Sequence, residues 1–95
     1  MEYCISFKGK SQREVYEFFD RNYSKNFKSS HKLITNELLK IYNINDVAVI
    51  IETISDKKEL KSFGNIDFVG NEKVVNKTIK GIKEKGFSLE DIILK

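Results

Sequence analysis

Apolar residues along the chain follow two spacings, one typical of strands and one typical of helices. Every second position is apolar in residues 3–8, which predicts a first strand. Helical spacing follows, and Ser11 with Glu14 forms a capping box in front of it. The sequence therefore predicts a first helix over residues 11–23, with the buried positions Val15, Phe18, Phe19 and Tyr23.

The same helical spacing recurs twice further along the chain. Residues 31–42 place four apolar side chains on one side of a helix, and Ser29 or Ser30 can cap it, which predicts a second helix. Asn71 can cap a third helix, and Gly86 suits the left-handed position that ends one. The expected buried sets are Ile34, Leu38, Ile41 and Tyr42 in the second helix, and Val74, Val75, Thr78, Ile79 and Ile82 in the third.

Three further segments read as strands or turns. Residues 47–51 are five consecutive apolar residues, a pattern that favours a strand covered by helices on both faces. Residues 66–69 are an uncertain strand, and residues 91–94 a short closing strand, while residues 43–46 form a turn cluster. Helical crossovers between strands favour parallel pairing.

The expected fold is therefore a single α/β domain over residues 1–95. It has a three-stranded, possibly four-stranded, mainly parallel sheet packed with three helices, in the order β-α-α-β-(β)-α-β.

Composition limits what such a domain can do. The net charge is +3, and no apolar run approaches the length of a membrane span. No secretory signal is recognisable and Cys4 is the single cysteine, so we expect a soluble cytoplasmic protein that does not bind membranes. One cysteine and one histidine cannot form a structural zinc site, and no phosphate-binding glycine motif occurs. We therefore expect neither an enzyme, nor a metal or cofactor, nor a small-molecule substrate.

The most distinctive charged segment is residues 21–32, which hold four cationic side chains and no carboxylate. Aromatic residues lie between the cations, a combination that suits an acidic partner surface or phosphate. The alternative is a solvated loop with aromatics that face the core. The candidate partner-binding residues are Tyr23, Lys25, Asn26, Phe27, Lys28, His31 and Lys32, with Tyr23 and Phe27 as the anchoring aromatics.

A second basic feature lies on the third predicted helix. Lys73, Lys77 and Lys80 recur on one stripe, so together with Arg21 they are an alternative set of nucleic-acid contacts. The plainer interpretation is the solvent-facing side of an amphipathic helix.

The order of elements resembles that of barstar-like inhibitors, which block a bacterial ribonuclease inside the cell. The resemblance lies in the first strand with its glycine turn (residues 5–9), the capped helix (residues 11–23), a loop containing Tyr and Asn (residues 23–28), a second helix (residues 31–42), the apolar strand (residues 47–52) and the helix–Lys–Gly–aromatic–strand ending (residues 74–95). The resemblance implies that the second helix and its preceding loop contact a toxin. This loop is basic where those inhibitors present acids, so the resemblance extends to the layout and not to the contact.

Two functional hypotheses follow. The first is a small non-catalytic protein that neutralises a partner protein, as an immunity or antitoxin protein against a bacterial toxin. The alternative is a nucleic-acid-binding or regulatory module that uses residues 21–32 and the lysines of the third helix.

Overall fold

The computed structural model describes the backbone of residues 2–8, 12–34, 36–56, 61–87 and 91–94, and the side chains within residues 13–34, 36–54 and 64–87. In chain order, the elements are β1 (Glu2–Lys8), α1 (Gln12–Tyr23), a 3₁₀ turn (Ser24–Asn26), β2 (Phe27–Ile34), β3 (Glu37–Ile44), β4 (Val47–Asp56), β5 (Lys61–Val69), α2 (Glu72–Glu84) and β6 (Asp91–Leu94).

The sheet is antiparallel, which contradicts the expected mainly parallel sheet and the three-helix layout. Its strand order is β2-β3-β4-β5-β1-β6, and every neighbouring pair is antiparallel. Strands β2 to β5 follow one another as a four-stranded meander. The helical crossovers do join strands that point the same way, β1 to β2 and β5 to β6. Other strands lie between the members of each pair, so the crossovers produce no parallel pairing.

The second predicted helix is absent from the described residues, because residues 27–34 and 37–44 form the paired strands β2 and β3 instead. Apolar residues in β3 occupy both faces of the strand, so their spacing fits a helix as well as a strand. The pairing of β3 with β4 decides between them, since Tyr42 lies opposite Val49 and Ile44 opposite Val47. Long-range pairing of this kind overrides local helical spacing.

Local signals at two chain reversals are confirmed. Asn45 and Asp46 form the two-residue β3–β4 turn with φ of 54° and 63°, the left-handed pair that hairpin turns of this length require. Asn71 caps α2 by accepting from the Lys73 N–H, and Gly86 ends it with φ of 96°. The Phe87 N–H donates to the Ile82 carbonyl and the Gly86 N–H to the Lys83 carbonyl, the Schellman pattern.

Both helices cover the same face of the sheet. Val47, Val49 and Ile51 on that face are fully buried, whereas Ala48 and Ile50 on the other face are half-exposed. The expectation that both sets are buried beneath helices is thus correct for the first set and wrong for the second. We call the uncovered side the open face.

Five aromatic rings pack the ends of both helices onto the sheet. Their ring centroids lie 4.8–6.3 Å apart, close enough for tilted and edge-to-face contact. The rings come from α1, β3 and the residue that follows Gly86. They are Phe18, Phe19, Tyr23, Tyr42 and Phe87.

Polar groups beneath α1 are paired as well as buried. The Tyr42 hydroxyl donates to Asp20 Oδ1 at 2.9 Å, and Lys40 Nζ lies 3.6 Å from Asp20 Oδ2. The Tyr16 hydroxyl lies 2.6 Å from Thr53 Oγ1. Burial raises the pKa of Tyr42 well above its usual range, and the adjacent Asp20 carboxylate raises it further. These contacts orient α1 across β3 and β4.

No helix within the described part of the chain is long and apolar enough to cross a membrane.

The raised pKa of Tyr42 predicts a loss of stability in alkali. A tyrosine in the unfolded chain ionises near pH 10, whereas the pKa of folded Tyr42 is higher. The contribution of Tyr42 to the free energy of unfolding is therefore complete below about pH 10. It is lost as the pH rises from there towards the pKa of the folded state. Tyr42→Phe should lower the free energy of unfolding by roughly 1–2 kcal/mol at neutral pH, because the hydrogen bond to Asp20 is lost.

The measurement is thermal unfolding by circular dichroism between neutral pH and pH 11. We expect the gap in melting temperature between the wild type and Tyr42→Phe to narrow above about pH 10. If the melting temperatures of the two proteins fell in parallel across this pH range, ionisation of Tyr42 would not be the cause of the loss of stability in alkali.

Candidate functional site

A cleft of about 530 Å³ lies between the end of α1, the β3–β4 turn and α2. Asn22 and Tyr23 line it from α1, and Asn26 lines it from the 3₁₀ turn. Ile44 at the end of β3 and Asn45 in the following turn also line it. This volume lies within the range of protein sites that bind small ligands or short peptide segments.

One side of α2 forms the other wall. The residues that line the cleft from this helix and its cap are Lys77, Thr78, Lys80, Gly81, Glu84 and Lys85. Thr78 is buried and its hydroxyl donates to the Val74 carbonyl, so it belongs to the packed side of the helix. The lysines are exposed. The wall therefore passes from a packed base to a cationic rim.

Lys85 is held against the opposite wall by an aromatic contact. Its Nζ lies 4.2 Å from the centroid of the Tyr23 ring, within the distance of a cation–π interaction. Tyr23 itself is buried, at 7% exposure, so its ring supports the lysine and offers little surface of its own. The contact joins the end of α1 to the end of α2 across the cleft.

Two asparagine amides on the α1 side are fixed by main-chain hydrogen bonds. Asn22 Nδ2 donates to the Phe18 carbonyl and Asn26 Nδ2 to the Asn43 carbonyl, each at 2.9 Å. Asn45 joins them from the turn. Fixed amides provide directed hydrogen-bonding groups at little cost in conformational entropy.

The charge of the cleft is positive. Among its lining residues, three lysines face a single carboxylate, that of Glu84. The α1 side adds amides and no charge. An anionic group that enters the cleft therefore meets a net attractive field and directed amide groups.

The structure brings together residues from both predicted basic features. Tyr23 and Asn26, from residues 21–32, line the same cleft as Lys77 and Lys80, from the stripe on α2. In the sequence these two features are about fifty residues apart, and only the nucleic-acid hypothesis used both of them. Folding makes them opposite walls of one site.

The remaining predicted residues lie outside the cleft lining. Arg21 and Lys25 are exposed beside it along the chain, and Lys73 is exposed at the start of α2. The edge strand β2 carries the others, Phe27, Lys28, His31 and Lys32, all exposed. Phe27 is 43% exposed and its ring packs edge-on against Tyr42 at 5.6 Å. Residues 21–32 thus do not form one continuous loop.

Sequence reasoning named four of the eleven residues that line the cleft as site residues and missed the other seven. The sequence does indicate where two of the missed residues lie. Lys85 precedes the glycine that ends α2, and Asn45 lies in the predicted turn cluster. Asn22, Ile44 and Glu84 carried no such signal, because only the packing of α1 and α2 on the sheet places them at the cleft.

Gly81 has a different role from the one its position in a helix indicates. A glycine inside a helix suggests close packing against a neighbour, yet a Cβ at Gly81 would meet nothing within 4 Å. Gly81 lines the cleft. Its missing side chain therefore leaves room in the cleft and relieves no steric conflict.

No group of three or more His, Cys, Asp or Glu side chains that could hold a metal ion occurs among the residues that the structure describes. The chain matches no protein-family model, no curated protein and no solved structure.

The glycines at the end of α2 offer a matched pair of substitutions. Gly81→Ala should stabilise the protein by about 1 kcal/mol, because alanine favours the helix and its Cβ has free space. That gain corresponds to a rise in melting temperature of about 4–8 °C for a domain of this size. Gly86→Ala also has free space, but its φ of 96° makes any side chain strained.

Thermal and urea unfolding of both variants checks this prediction. Gly86→Ala should lose roughly 1–2 kcal/mol, the cost of a left-handed backbone for a residue with a Cβ. A loss of stability in Gly81→Ala would mean that Gly81 is required for packing after all.

Proposed function

We propose that this protein is a non-catalytic binding protein that holds an acidic segment of a partner protein in the cleft between α1 and α2. The observation that carries the proposal is the cationic rim of a concave site, where Lys77, Lys80 and Lys85 outnumber the one lining carboxylate, Glu84. Electrostatic complementarity of this kind favours an acidic partner and disfavours basic ones.

The immunity or antitoxin hypothesis is not carried forward. It relied on an inhibitor layout with a parallel sheet and a second helix at residues 31–42. The sheet is antiparallel, and this segment spans the β2–β3 hairpin. No comparison with known proteins supports the barstar-like resemblance.

Support for a protein partner comes from the preorganisation of the site. Lys85 is held over the Tyr23 ring, and two asparagine amides are held by main-chain carbonyls. A short loop with carboxylates can use such fixed groups without first ordering them.

Nucleic acid is the second candidate, and a separate observation favours it. Lys73, Lys77 and Lys80 are all exposed on α2, as a phosphate-binding stripe requires. Single-stranded nucleic acid also needs aromatic faces on which bases stack. Tyr23 is buried under Lys85, so the cleft wall offers no free ring. The protein partner is therefore the better-supported proposal.

The test is a selection from a random peptide library displayed on phage, with the wild-type protein as bait and a Lys77→Glu/Lys80→Glu variant for counter-selection. We expect the enriched peptides to be acidic. Their affinity, measured by fluorescence anisotropy, should fall by about tenfold or more in this variant, because like charges then face each other. Enrichment of neutral or basic peptides, or no enrichment, would overturn the proposal.

A control variant on the same helix separates the two candidates. Lys73→Glu/Lys83→Glu changes the net charge by the same amount, yet neither residue lines the cleft. For a peptide in the cleft, this control should bind within about threefold of the wild type, since neither side chain lines the cleft and exposed charges outside a contact contribute little in water. If mixed-sequence DNA or RNA binds instead, with steep loss of affinity in salt and equal sensitivity in both variants, the nucleic-acid function is correct.

A third variant tests the cleft by shape. Gly81→Leu places a bulky side chain where the glycine lines the cleft, whereas Gly81→Ala adds one methyl group. We expect Gly81→Leu to abolish binding of the selected peptides and Gly81→Ala to retain it. Equal binding of the peptide by both variants would show that it binds outside the cleft. Competition by inorganic phosphate alone would show that the site binds small anions and not a peptide.

A further inference from the structure

The open face carries an apolar patch at the centre of the sheet. Ile41 lies directly opposite Ile50 across the β3–β4 pair, and Ala48 lies opposite Val69 across the β4–β5 pair. Leu39 extends the patch along β3. All five residues are at least partly exposed, and Val69 is 39% exposed. The chain's own helices pack on the other side.

The charged side chains that the structure describes around this patch are acidic. Glu37 lies on the open face two residues before Leu39, Glu52 lies opposite Leu39, and Asp67 lies opposite Ile50. Among the residues of this face whose side chains the structure describes, none is lysine or arginine. The lysines of α2 lie on the opposite side of the molecule. The open face is therefore apolar at its centre with acidic residues beside it.

The sequence of β4 contains an independent indication that this face is covered. Residues 47–51 are apolar without interruption, a pattern typical of strands that are buried on both faces. In this chain the helices bury one set, Val47, Val49 and Ile51, and leave Ala48 and Ile50 half-exposed. A strand with one face permanently in water would alternate apolar and polar residues.

We propose that the open face binds an amphipathic helix of a partner protein, with an apolar stripe that packs on Ile41 and Ile50 and lysine or arginine residues beside the stripe. Strands are about 4.8 Å apart, so the four strands of the meander span about 15 Å, wide enough for a helix of about 10–12 Å diameter. The basic residues would meet Glu37, Glu52 and Asp67. This site is separate from the cleft and does not depend on its function.

Because of its charge, a second copy of the chain fits the open face less well than a separate helix does. Two open faces brought together would place acidic residues against acidic residues, which is unfavourable. The helix side of a second copy has the right sign, but the outward residues of α2 there are polar, and its apolar residues Val75, Ile79 and Ile82 are buried. A separate helix can supply both the apolar stripe and the positive charges.

The test uses synthetic peptides of about four helical turns. One has a leucine stripe between lysines, a second has the same composition in scrambled order, and a third has glutamate in place of lysine. We expect the first peptide to bind at least about tenfold more tightly than either of the others, since only it matches both the apolar patch and the charge. Amide chemical-shift changes in nuclear magnetic resonance spectra should map to β3, β4 and β5.

Two variants make the test specific to this surface. Ile41→Thr/Ile50→Thr keeps β-branched residues in the strands and should weaken the leucine–lysine peptide by about tenfold. The Glu37→Lys/Glu52→Lys variant should bind the glutamate peptide more tightly than the lysine peptide. If this double variant does not fold, Glu37→Lys alone should reduce the preference for the lysine peptide over the glutamate peptide. A Lys73→Gln/Lys83→Gln variant, changed outside both the cleft and the open face, serves as the control and should bind the lysine peptide like the wild type.

Three results would overturn the inference. One is equal binding of the scrambled peptide, which would indicate charge attraction without a stripe. The second is a set of shift changes confined to α1 and α2. The third is self-association in sedimentation experiments that Ile41→Thr/Ile50→Thr abolishes, because the occupant would then be a second copy of the chain.

Discussion

The packing of five aromatic rings between the two helices and the sheet determines where everything else lies. Phe18, Phe19 and Tyr23 bring the end of α1 against Tyr42 of β3, and Phe87 brings the end of α2 to the same cluster. The helix ends are thereby held close together without contact along their whole length. The cleft is the space that remains beside this cluster, and the Lys85–Tyr23 contact spans it.

One consequence of helices on a single face is a separation of charge. The exposed lysines of α2 lie on the helix side, while Glu37, Glu52 and Asp67 lie on the open face. The net charge of +3 therefore does not show how charge is distributed, since the α2 lysines and these three carboxylates lie on opposite sides of the sheet. Surfaces of this kind select partners by charge and guide their approach. Both binding proposals above depend on this separation of charge.

Signals that act within a few residues predicted the local structure well. Alternation predicted β1, and helical spacing predicted α1 and α2 close to their observed bounds. The Asn71 cap of α2 is confirmed, whereas Ser11 of the predicted α1 capping box lies outside the described residues. Gly86 and the Asn45–Asp46 turn were recognisable because left-handed backbone favours few residue types. The helix expected at residues 31–42 is wrong, since residues such as Leu38, Leu39 and Ile41 suit either period and pairing with β4 decides the outcome.

Local patterns were sufficient to predict the strand at residues 47–51, both helices, the basic segment and the stripe of lysines, because each depends on neighbours along the chain. Three other features follow from long-range packing. The sheet is antiparallel, Tyr23 and Asn26 lie across a cleft from Lys77 and Lys80, and Ile50 is partly exposed. These features depend on which strands pair and on which face the helices settle. Pairing and layer packing join residues far apart in the chain, and no local pattern specifies them uniquely.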